Sequence, residues 1–381
     1  MPLYDLNEFL DLSRKLTYQL EAATVSQEHL VATMLRRRKI PPEEKEILFD
    51  VIGYLDKAYG RKRRRLGPKA VLHPLRATGL LVDAMGSFNL LDGLSILLHD
   101  KFEDITADEF PPDEWEALEA HFHRLLKRID PRDEWYLMER LSVLTRHTGN
   151  EQYYTYIGRL LDKAVSTPEL LRVKLADRLD NTLDMRVDIY DPLEDVDFYS
   201  HLFQVLFVPS FTGFEPPVGH PPANDLNGSR RMYELFKTAV TLSLIRQKVP
   251  IDNDQAAVKL VDAICIASLK EAQRIIMHIF GYHFRDVYQQ RAVVRDTMEY
   301  CISGGTSGVT DGGTAHRLDG LFLDRFDPRD PSLRKSRLKE LYSDKELMIQ
   351  AALAFVVIFT NFRNDPTYYV HGVSEAGLTA A

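Results

Sequence analysis

The chain has 381 residues, of which 45% are hydrophobic and 27% charged, a composition typical of a soluble globular protein with a large core. Its formal net charge of −8 argues against a general nucleic-acid-binding protein, because contacts with the phosphate backbone require an excess of Lys and Arg. The two cysteines, Cys265 and Cys301, exclude a disulfide framework and a zinc site built from thiolates, which fits a reducing cytoplasm.

No segment of the chain predicts export or membrane insertion. Residues 1–5 lack the basic region and apolar run of a signal peptide. The most apolar run, Ala351 to Phe359, is well short of the about 20 residues that cross a bilayer, and we interpret it as a buried helix. We therefore expect a cytoplasmic protein that binds neither membrane nor nucleic acid.

Helical periodicity dominates the first 208 residues, which predicts an all-α fold. Leucines at 90, 91, 94, 97 and 98 follow helical spacing and lead into His99, and Pro111-Pro112 ends that region. Further helices are predicted over 113–126 and 134–146. Thr167-Pro168-Glu169 has the pattern of a helix start, and the helix that follows carries a leucine every four residues.

The second half of the chain contains more helices between two loops. Residues 209–228 are rich in Pro and Gly, which indicates a linker or long loop between a domain at 1–208 and a helical region at 229–381. The helical pattern resumes over 230–247 and 254–300. A glycine-rich loop at 304–313 precedes a last helix over 344–362. No role can be assigned to residues 229–381 from these patterns.

The run from His99 to Asp104 is the most informative stretch, because an apolar helical face leads directly into four ionisable side chains. If the helix continues, His99 and Glu103 are one turn apart, as are Asp100 and Asp104, and all four project from one side. Burying such groups costs several kcal/mol unless something compensates their charge. A divalent metal ion would provide that compensation.

Two further segments supply the remaining ligands of such a site. His73 precedes a proline at a predicted helix start, and Asp177 lies on an otherwise apolar helix, with Asn181 one turn further on. The set of His73, His99, Asp100 and Asp177 has a net charge of −2, and its mixed N/O donors suit manganese, iron or zinc better than calcium. Each residue alone fits a structural role as a surface pair, a cap or an ion pair. Their joint occurrence beside apolar runs favours a metal site.

A basic run, Gly60 to Arg65, lies just before His73 and contains five consecutive cations. Arginine forks bind phosphate oxygens in a bidentate manner, so this run could bring an anionic ligand to an acidic site. The alternatives are a solvated basic face and a nucleic-acid patch. The position of the run next to His73 favours phosphate binding.

These motifs resemble the HD-domain hydrolases of the RelA/SpoT type, which include the small enzymes that remove the 3′-pyrophosphate of (p)ppGpp. The resemblance covers about residues 45–200. It rests on a histidine before proline, on His-Asp-x-x-Glu-Asp at 99–104, and above all on Val-Lys-Leu-Ala-Asp-Arg-Leu-x-Asn at 173–181. It implies an HD-domain helical bundle, extended here by a further helical region at the C-terminal end.

The resemblance also implies a role for each motif residue. The metal ligands would be His73, His99, Asp100 and Asp177, typically for Mn²⁺, and Glu103 and Asp104 would handle the attacking water. Asn181 would contact the nucleotide, and the family's basic pair matches Lys62 and Arg63, or Arg64 after a small gap. The implied reaction converts (p)ppGpp into GDP or GTP plus pyrophosphate with a metal-activated water, as in the stringent response.

Three positions depart from the family pattern. Asp180 stands where the family usually has histidine, Ala70 where it has a tyrosine near the guanine base, and Lys101 where it has an apolar residue. The missing tyrosine keeps a second enzyme hypothesis open, an HD phosphohydrolase of another nucleotide or pyrophosphate. A third hypothesis is a non-catalytic nucleotide-binding regulator. The oligomeric state stays open.

Overall fold

The protein is described from a computed structural model, which covers residues 5–22, 27–60, 62–64, 69–147, 151–186, 196–214, 228–304, 306–328 and 330–378. Across these residues the secondary structure is almost entirely helical, with one short antiparallel hairpin of β1 (Val373–Ser374) and β2 (Gly377–Leu378). The predicted all-α fold is therefore confirmed.

The chain divides into two compact units. Unit 1 comprises Met1–Asp188 together with Lys248–Ile264, and unit 2 comprises Ile189–Gln247 together with Cys265–Ala381. This division does not coincide with the linker expected at 209–228, of which residues 215–227 lie outside the described part of the chain. Residues 248–264 thus belong to unit 1 although they are distant from it in sequence. The spacing of apolar residues along the chain does not reveal such a long-range association.

Unit 1 contains the whole region that carries the sequence motifs. Its described helices up to residue 186 are α1 (Leu6–Glu21), α2 (Gln27–Met34), α3 (Pro42–Tyr59), α4 (Leu72–Met85), α5 (Leu90–Leu97), α6 (Lys101–Asp104), α7 (Pro112–Leu126), α8 (Pro131–Leu144), α9 (Tyr153–Ala164) and α10 (Glu169–Leu183). Local signals set several of these boundaries. Asp5 and Asn89 accept hydrogen bonds from the first-turn N–H groups of α1 and α5. Gly86 ends α4 with a φ of +71°, which glycine adopts without strain.

Helix α4 lies at the centre of unit 1. All its residues except Asp83 and Met85 are buried, and it packs against α1, α5 and α10. Helix α10 is nearly as buried and also contacts α5, α8 and α9. Because both central helices are buried on most sides, many of their polar side chains are held inside the protein and must find partners there.

Unit 2 is built from α11 (Phe198–Phe207), most of α12 (Gly228–Lys248), the later part of α13 (Gln255–Tyr282), α14 (Val287–Gly304), α15 (Arg334–Ser343) and α16 (Lys345–Asn364). The helical pattern predicted over 254–300 consists of two helices, α13 and α14. Asp286 accepts hydrogen bonds from the N–H groups of Tyr288 and Gln289 and so begins a separate helix, α14.

Helix α16 includes the apolar run from Ala351 to Phe359. By length and composition alone it could cross a membrane, but 67% of its most apolar window is buried inside the protein. Asp344 caps its first turn by accepting a hydrogen bond from the Leu347 N–H group. Burial of this extent is typical of a core helix in a soluble protein, as predicted for this run.

Candidate metal centre

Helices α4 and α10 bring the first two predicted ligands together. His73 lies in the first turn of α4, where the following Pro74 is tolerated because no helical N–H bond is required there. Asp177 lies in the middle of α10. The two helices pack side by side, and Nε2 of His73 is 3.2 Å from Oδ1 of Asp177.

The other two predicted ligands come from a break between α5 and α6, which corrects the continuous helix predicted through 99–104. Helix α5 ends at Leu97, and Asp100 has φ −91° and ψ 6° before α6 begins at Lys101. The Nδ1 atom of His99 bonds the carbonyl oxygen of Ile96 at 2.7 Å. In a continuous helix that carbonyl would accept the N–H of Asp100, so the histidine side chain replaces a helical hydrogen bond.

The four predicted ligands converge on one place. Nε2 of His73 and Nε2 of His99 are 3.2 Å apart. Oδ1 of Asp177 is 3.6 Å from Nε2 of His99, while the two oxygens of Asp100 lie 3.1 Å from Nε2 of His99 and 3.4 Å from Nε2 of His73. Donors that bind one metal at about 2.0–2.2 Å lie about 3.0–3.6 Å from each other. The spacing of His73, His99 and Asp177 therefore fits a single metal ion, and Asp100 lies beside both histidines.

The outer nitrogen of each histidine is already occupied. Nδ1 of His73 donates to Oδ2 of Asp180 at 2.6 Å, and Nδ1 of His99 donates to the Ile96 carbonyl. With the proton on Nδ1, each neutral ring turns the lone pair of Nε2 toward the other ring and toward two carboxylates. These lone pairs repel each other unless a proton or a metal ion lies between them. Such outer hydrogen bonds are the usual way in which a protein orients metal-binding histidines.

His73, His99 and Asp177 form a buried group able to hold a metal ion. The geometry does not distinguish manganese from iron or zinc. The side chains of these three residues are 3–6% exposed, whereas the side chain of Asp100 is 26% exposed. The centre therefore opens to solvent on the side of Asp100.

The electrostatics of the centre also favour a cation. Burial and the charge of Arg64 lower the pKa of His73, but hydrogen bonds to Asp100, Asp177 and Asp180 outweigh them and raise that pKa to about 9. Burial raises the pKa of Asp177, but Lys174 and the two histidines hold it well below its usual range. The acidic partners thus stabilise positive charge at the place where the four donors meet.

The predicted acidic pair lies on α6, one turn beyond His99. Oε1 of Glu103 accepts a hydrogen bond from the backbone N–H of Arg146, just after α8. Burial raises the pKa of Glu103, with Asp100 and Asp177 adding to the rise and the Arg146 N–H opposing it. Burial and Asp100 likewise raise the pKa of Asp104, against the charge of Lys62. Both carboxyls therefore hold a proton more readily than usual.

The described part of the basic run lies beside these acids. The Nζ atom of Lys62 contacts the carbonyl oxygen of Asp104 and the carboxylate of Glu109. Arg63 is exposed and pairs its backbone with Lys69. Arg64 reaches further in, where its Nη2 donates to Oδ1 of Asn181 at 2.5 Å. Arg61 and Arg65 lie outside the described residues.

Asn181 and Lys174 both contact the candidate metal ligand Asp177. Nδ2 of Asn181 donates to Oδ1 of Asp177 at 2.5 Å, and Nζ of Lys174 contacts Oδ2 at 2.7 Å. Burial disfavours a charge on Lys174, but Asp177 outweighs it and raises the pKa of Lys174 well above its usual range. Sequence reasoning assigned no role to Lys174. Lys174 lies three residues before Asp177 on the same helix, and this spacing could have predicted the ion pair between them.

Sequence reasoning also missed the partners behind His73. Arg76, one turn after His73, is fully buried and bonds Asp180 through Nε at 2.8 Å and Nη2 at 3.1 Å. It also contacts Asp184. An arginine inside the apolar helix α4 was a visible signal, because a buried guanidinium requires acidic partners.

Lys101, which stands where the resembling family has an apolar residue, faces away from the centre. It is 3% exposed, and its Nζ contacts Glu119 at 2.7 Å and lies over the rings of Phe102, Trp115 and Phe122. An aromatic cage of this kind stabilises a buried ammonium through cation–π contacts. Lys101 thus has a packing role within unit 1.

Comparisons of the chain with protein-family models, with curated proteins and with solved structures give no match. The resemblance to the HD-domain hydrolases therefore rests on the motifs in the sequence. What the structure adds is the geometry of the residues that those motifs single out.

Proposed function

We propose that unit 1 is a metal-dependent phosphohydrolase that removes the 3′-pyrophosphate of a guanosine 3′-pyrophosphate such as (p)ppGpp. The observation that carries the proposal is the convergence of four donors from α4, α10 and the α5–α6 break, with both histidines held through Nδ1. The exposure of Asp100 supports a catalytic site, because a catalytic metal keeps a position open for water or substrate.

The residues around the centre have complementary roles in this reaction. A divalent ion held by His73, His99, Asp100 and Asp177 would lower the pKa of a water molecule and offset phosphate charge. Arg64 and Lys62, at the edge of the centre, would bind the pyrophosphate oxygens and counter the repulsion of the acids. Asn181 would orient the nucleotide.

Glu103 and Asp104 would move the protons. Water attacks the phosphorus attached to the ribose 3′-oxygen, the bond between that phosphorus and the 3′-oxygen breaks, and pyrophosphate leaves. One carboxylate takes a proton from the water, and a carboxyl returns one to the 3′-oxygen. The raised pKa values of both groups suit this exchange, because a carboxyl that titrates closer to neutrality both accepts and donates protons efficiently.

The test is pyrophosphate release by the full chain with Mn²⁺, from ppGpp and from a panel of other nucleotides. We expect release from ppGpp, and a loss of at least about 100-fold in Glu103→Gln/Asp104→Asn, the range of general acid–base contributions. Asp113→Asn/Glu114→Gln, which alters two exposed acids at the start of α7, is the matched control and should keep full activity.

Two outcomes would contradict the proposal. Turnover of other nucleotides without ppGpp would favour the second enzyme hypothesis, for which Ala70 in place of the family's tyrosine is the specific observation. Tight binding of ppGpp without turnover would favour a nucleotide-binding regulator.

A further inference from the structure

Seven side chains of unit 1 form a closed ring of hydrogen bonds and ion pairs around the metal centre. In order, they are His73, Asp180, Arg76, Asp184, Arg64, Asn181 and Asp177, which returns to His73. The ring joins α4, α10 and the basic segment before α4, so it links ligands of the proposed metal to a proposed phosphate-binding arginine.

On the inner side of the ring, several contacts hold the guanidinium of Arg76 in one orientation. Its guanidinium bonds both oxygens of Asp180, contacts Asp184 and donates to Oγ of Ser13 at 3.2 Å. The ring of Phe9 covers it at 5.2 Å. Because Arg76 and Asp180 are 0% exposed, no water can replace a contact that is lost.

Asp184 lies where the inner and outer sides of the ring meet. One of its oxygens contacts Arg76, and the other is 2.8 Å from Nε of Arg64. Its side chain is 8% exposed, whereas that of Arg64 is 22% exposed. A single carboxylate therefore fixes a buried arginine that orients Asp180 and a more accessible arginine that faces the entrance.

On the outer side, Arg64 is held in a defined orientation. Nε is bound to Asp184 and Nη2 to Oδ1 of Asn181, which itself bonds Asp177. Among the residues that the structure describes, Nη1 of Arg64 has no hydrogen-bond partner. The guanidinium is thus oriented by two of its nitrogens while the third is available to an anionic ligand.

We propose that Asp184 is a positioning residue that couples the metal ligand His73, through Arg76 and Asp180, to the phosphate-binding arginine Arg64. This inference rests on the proposed function, since it assigns a phosphate to Arg64 and a metal to His73. Asp184 orients both ends of the ring, because it has one oxygen on each arginine. The same carboxylate therefore orients His73 for the metal, through Arg76 and Asp180, and Arg64 for the pyrophosphate.

The test measures two binding constants rather than turnover: the Kd of Mn²⁺ alone, and the Kd of inorganic pyrophosphate at saturating Mn²⁺, both by calorimetry on the full chain. Asp184→Asn should raise both values by about 10-fold, the lower end of the losses seen when outer partners of metal ligands are removed. Arg64→Met should raise the pyrophosphate Kd by a similar factor and leave the Mn²⁺ Kd within about 2-fold, because Arg76 keeps its hold on Asp180.

Asp92→Asn is the matched control. The side chain of Asp92 is 8% exposed, as is that of Asp184, and it bonds Arg140 at 2.7 Å in the same unit, but it lies outside the ring. It should lower thermal stability without changing either Kd. If Asp184→Asn does not fold, Asp184→Glu keeps the charge, displaces the carboxylate by one methylene and should weaken both ligands in the same sense.

The proposal is overturned if the Asp184 variants bind Mn²⁺ as tightly as the wild type, or lose no more affinity than Asp92→Asn. A failure of the proposed function has a different signature. If ppGpp is not hydrolysed but Mn²⁺ and pyrophosphate still bind with the predicted pattern, the coupling holds and only the substrate assignment is wrong.

Discussion

His73 uses its two ring nitrogens for different purposes, and that division explains how the protein prepares a metal ligand. Nδ1 is engaged by Asp180, so a second proton on the ring must go to Nε2, the atom that would bind the metal. Proton and metal therefore compete for one position.

This competition predicts a pH dependence. The pKa of His73 is about 9 in the folded protein and 6.5 in a free histidine, so the proton stabilises the metal-free fold below about pH 6.5. That stabilisation is lost as the pH rises through 9. Thermal unfolding in a chelator should show a falling Tm over this window, and Mn²⁺ affinity should rise over the same window because the competing proton leaves. A flat Mn²⁺ affinity between pH 6.5 and 9 would contradict the prediction.

A second prediction at this scale concerns Asp177, which contacts both histidines, Lys174 and Asn181. Asp177→Asn removes one ligand charge and leaves Lys174, whose side chain is only 14% exposed, without its acid, which should cost about 3–5 kcal/mol of unfolding free energy. Mn²⁺ binding should be lost in calorimetry.

Asp162→Asn is the comparison for Asp177→Asn. Asp162 contacts Lys248 at 2.6 Å but is 66% exposed, so solvent already screens the pair. We expect a change of at most about 1 kcal/mol and an unaltered Mn²⁺ Kd. Equal losses in the two variants would show that burial of the Asp177 pair is not what makes it costly to break.

The candidate metal ligands could be singled out from the sequence because each is a polar residue beside an apolar run. The partners behind them could not, since His73 and Asp180 are 107 positions apart, and Arg76 and Asp184 are 108 apart. Only packing of α4 on α10 brings these pairs together. Charged residues within buried helices were visible in the sequence. The sequence did not show which of these residues pair with each other.

At the scale of elements, the break after α5 determines the site. A continuous helix would turn His99 and Asp100 about 100° apart, whereas the break lets both face the same point at 3.1 Å. Helical periodicity predicted the helix correctly up to Leu97. It could not predict the break, because the cause is a side-chain hydrogen bond from His99 to a backbone carbonyl.

The position of α5 depends on a close contact at Gly93. A Cβ atom at this position would lie 2.4 Å from Cε2 of Phe88, so Gly93→Ala forces the ring or the helix to move. We expect a loss of about 1–3 kcal/mol in denaturant unfolding and weaker Mn²⁺ binding, because His99 follows directly after the end of α5. Adding Phe88→Leu to Gly93→Ala should recover part of the lost stability and part of the lost Mn²⁺ affinity.

Gly53 in α3 gives the opposite expectation. A Cβ atom there would meet nothing within 4 Å, so Gly53→Ala should stabilise the protein by about 0.5–1 kcal/mol through its better helix propensity. A gain in both alanine variants, or a loss in both, would mean that the contact with Phe88 is not decisive.

At the scale of the whole molecule, unit 1 is discontinuous. Residues 248–264 belong to it although about 60 residues separate them from Asp188. Asp254 contacts Arg172 of α10 at 2.7 Å and accepts a hydrogen bond from Ala257 in the first turn of α13. The sequence correctly predicted helical structure before residue 189 and after residue 247. It gave no signal that the first part of α13 belongs to unit 1.

A fragment of residues 1–208 therefore lacks part of unit 1. It should show a lower Tm than the full chain and a weaker Mn²⁺ affinity, because α10 carries both Arg172 and Asp177. Thermal unfolding and calorimetry of both proteins check this. A fragment as stable as the full chain would mean that residues 248–264 add little to unit 1.

The discontinuity also imposes an order on biosynthesis. When Asp188 leaves the ribosome, the segment that completes unit 1 has not yet been made, and a long loop must close before its contacts form. Helix α13 then completes unit 1 with its first ten residues and continues into unit 2 with the remainder. Maturation of the metal centre is thus tied to translation of the second unit, and a truncated nascent chain would expose apolar surface that invites chaperones.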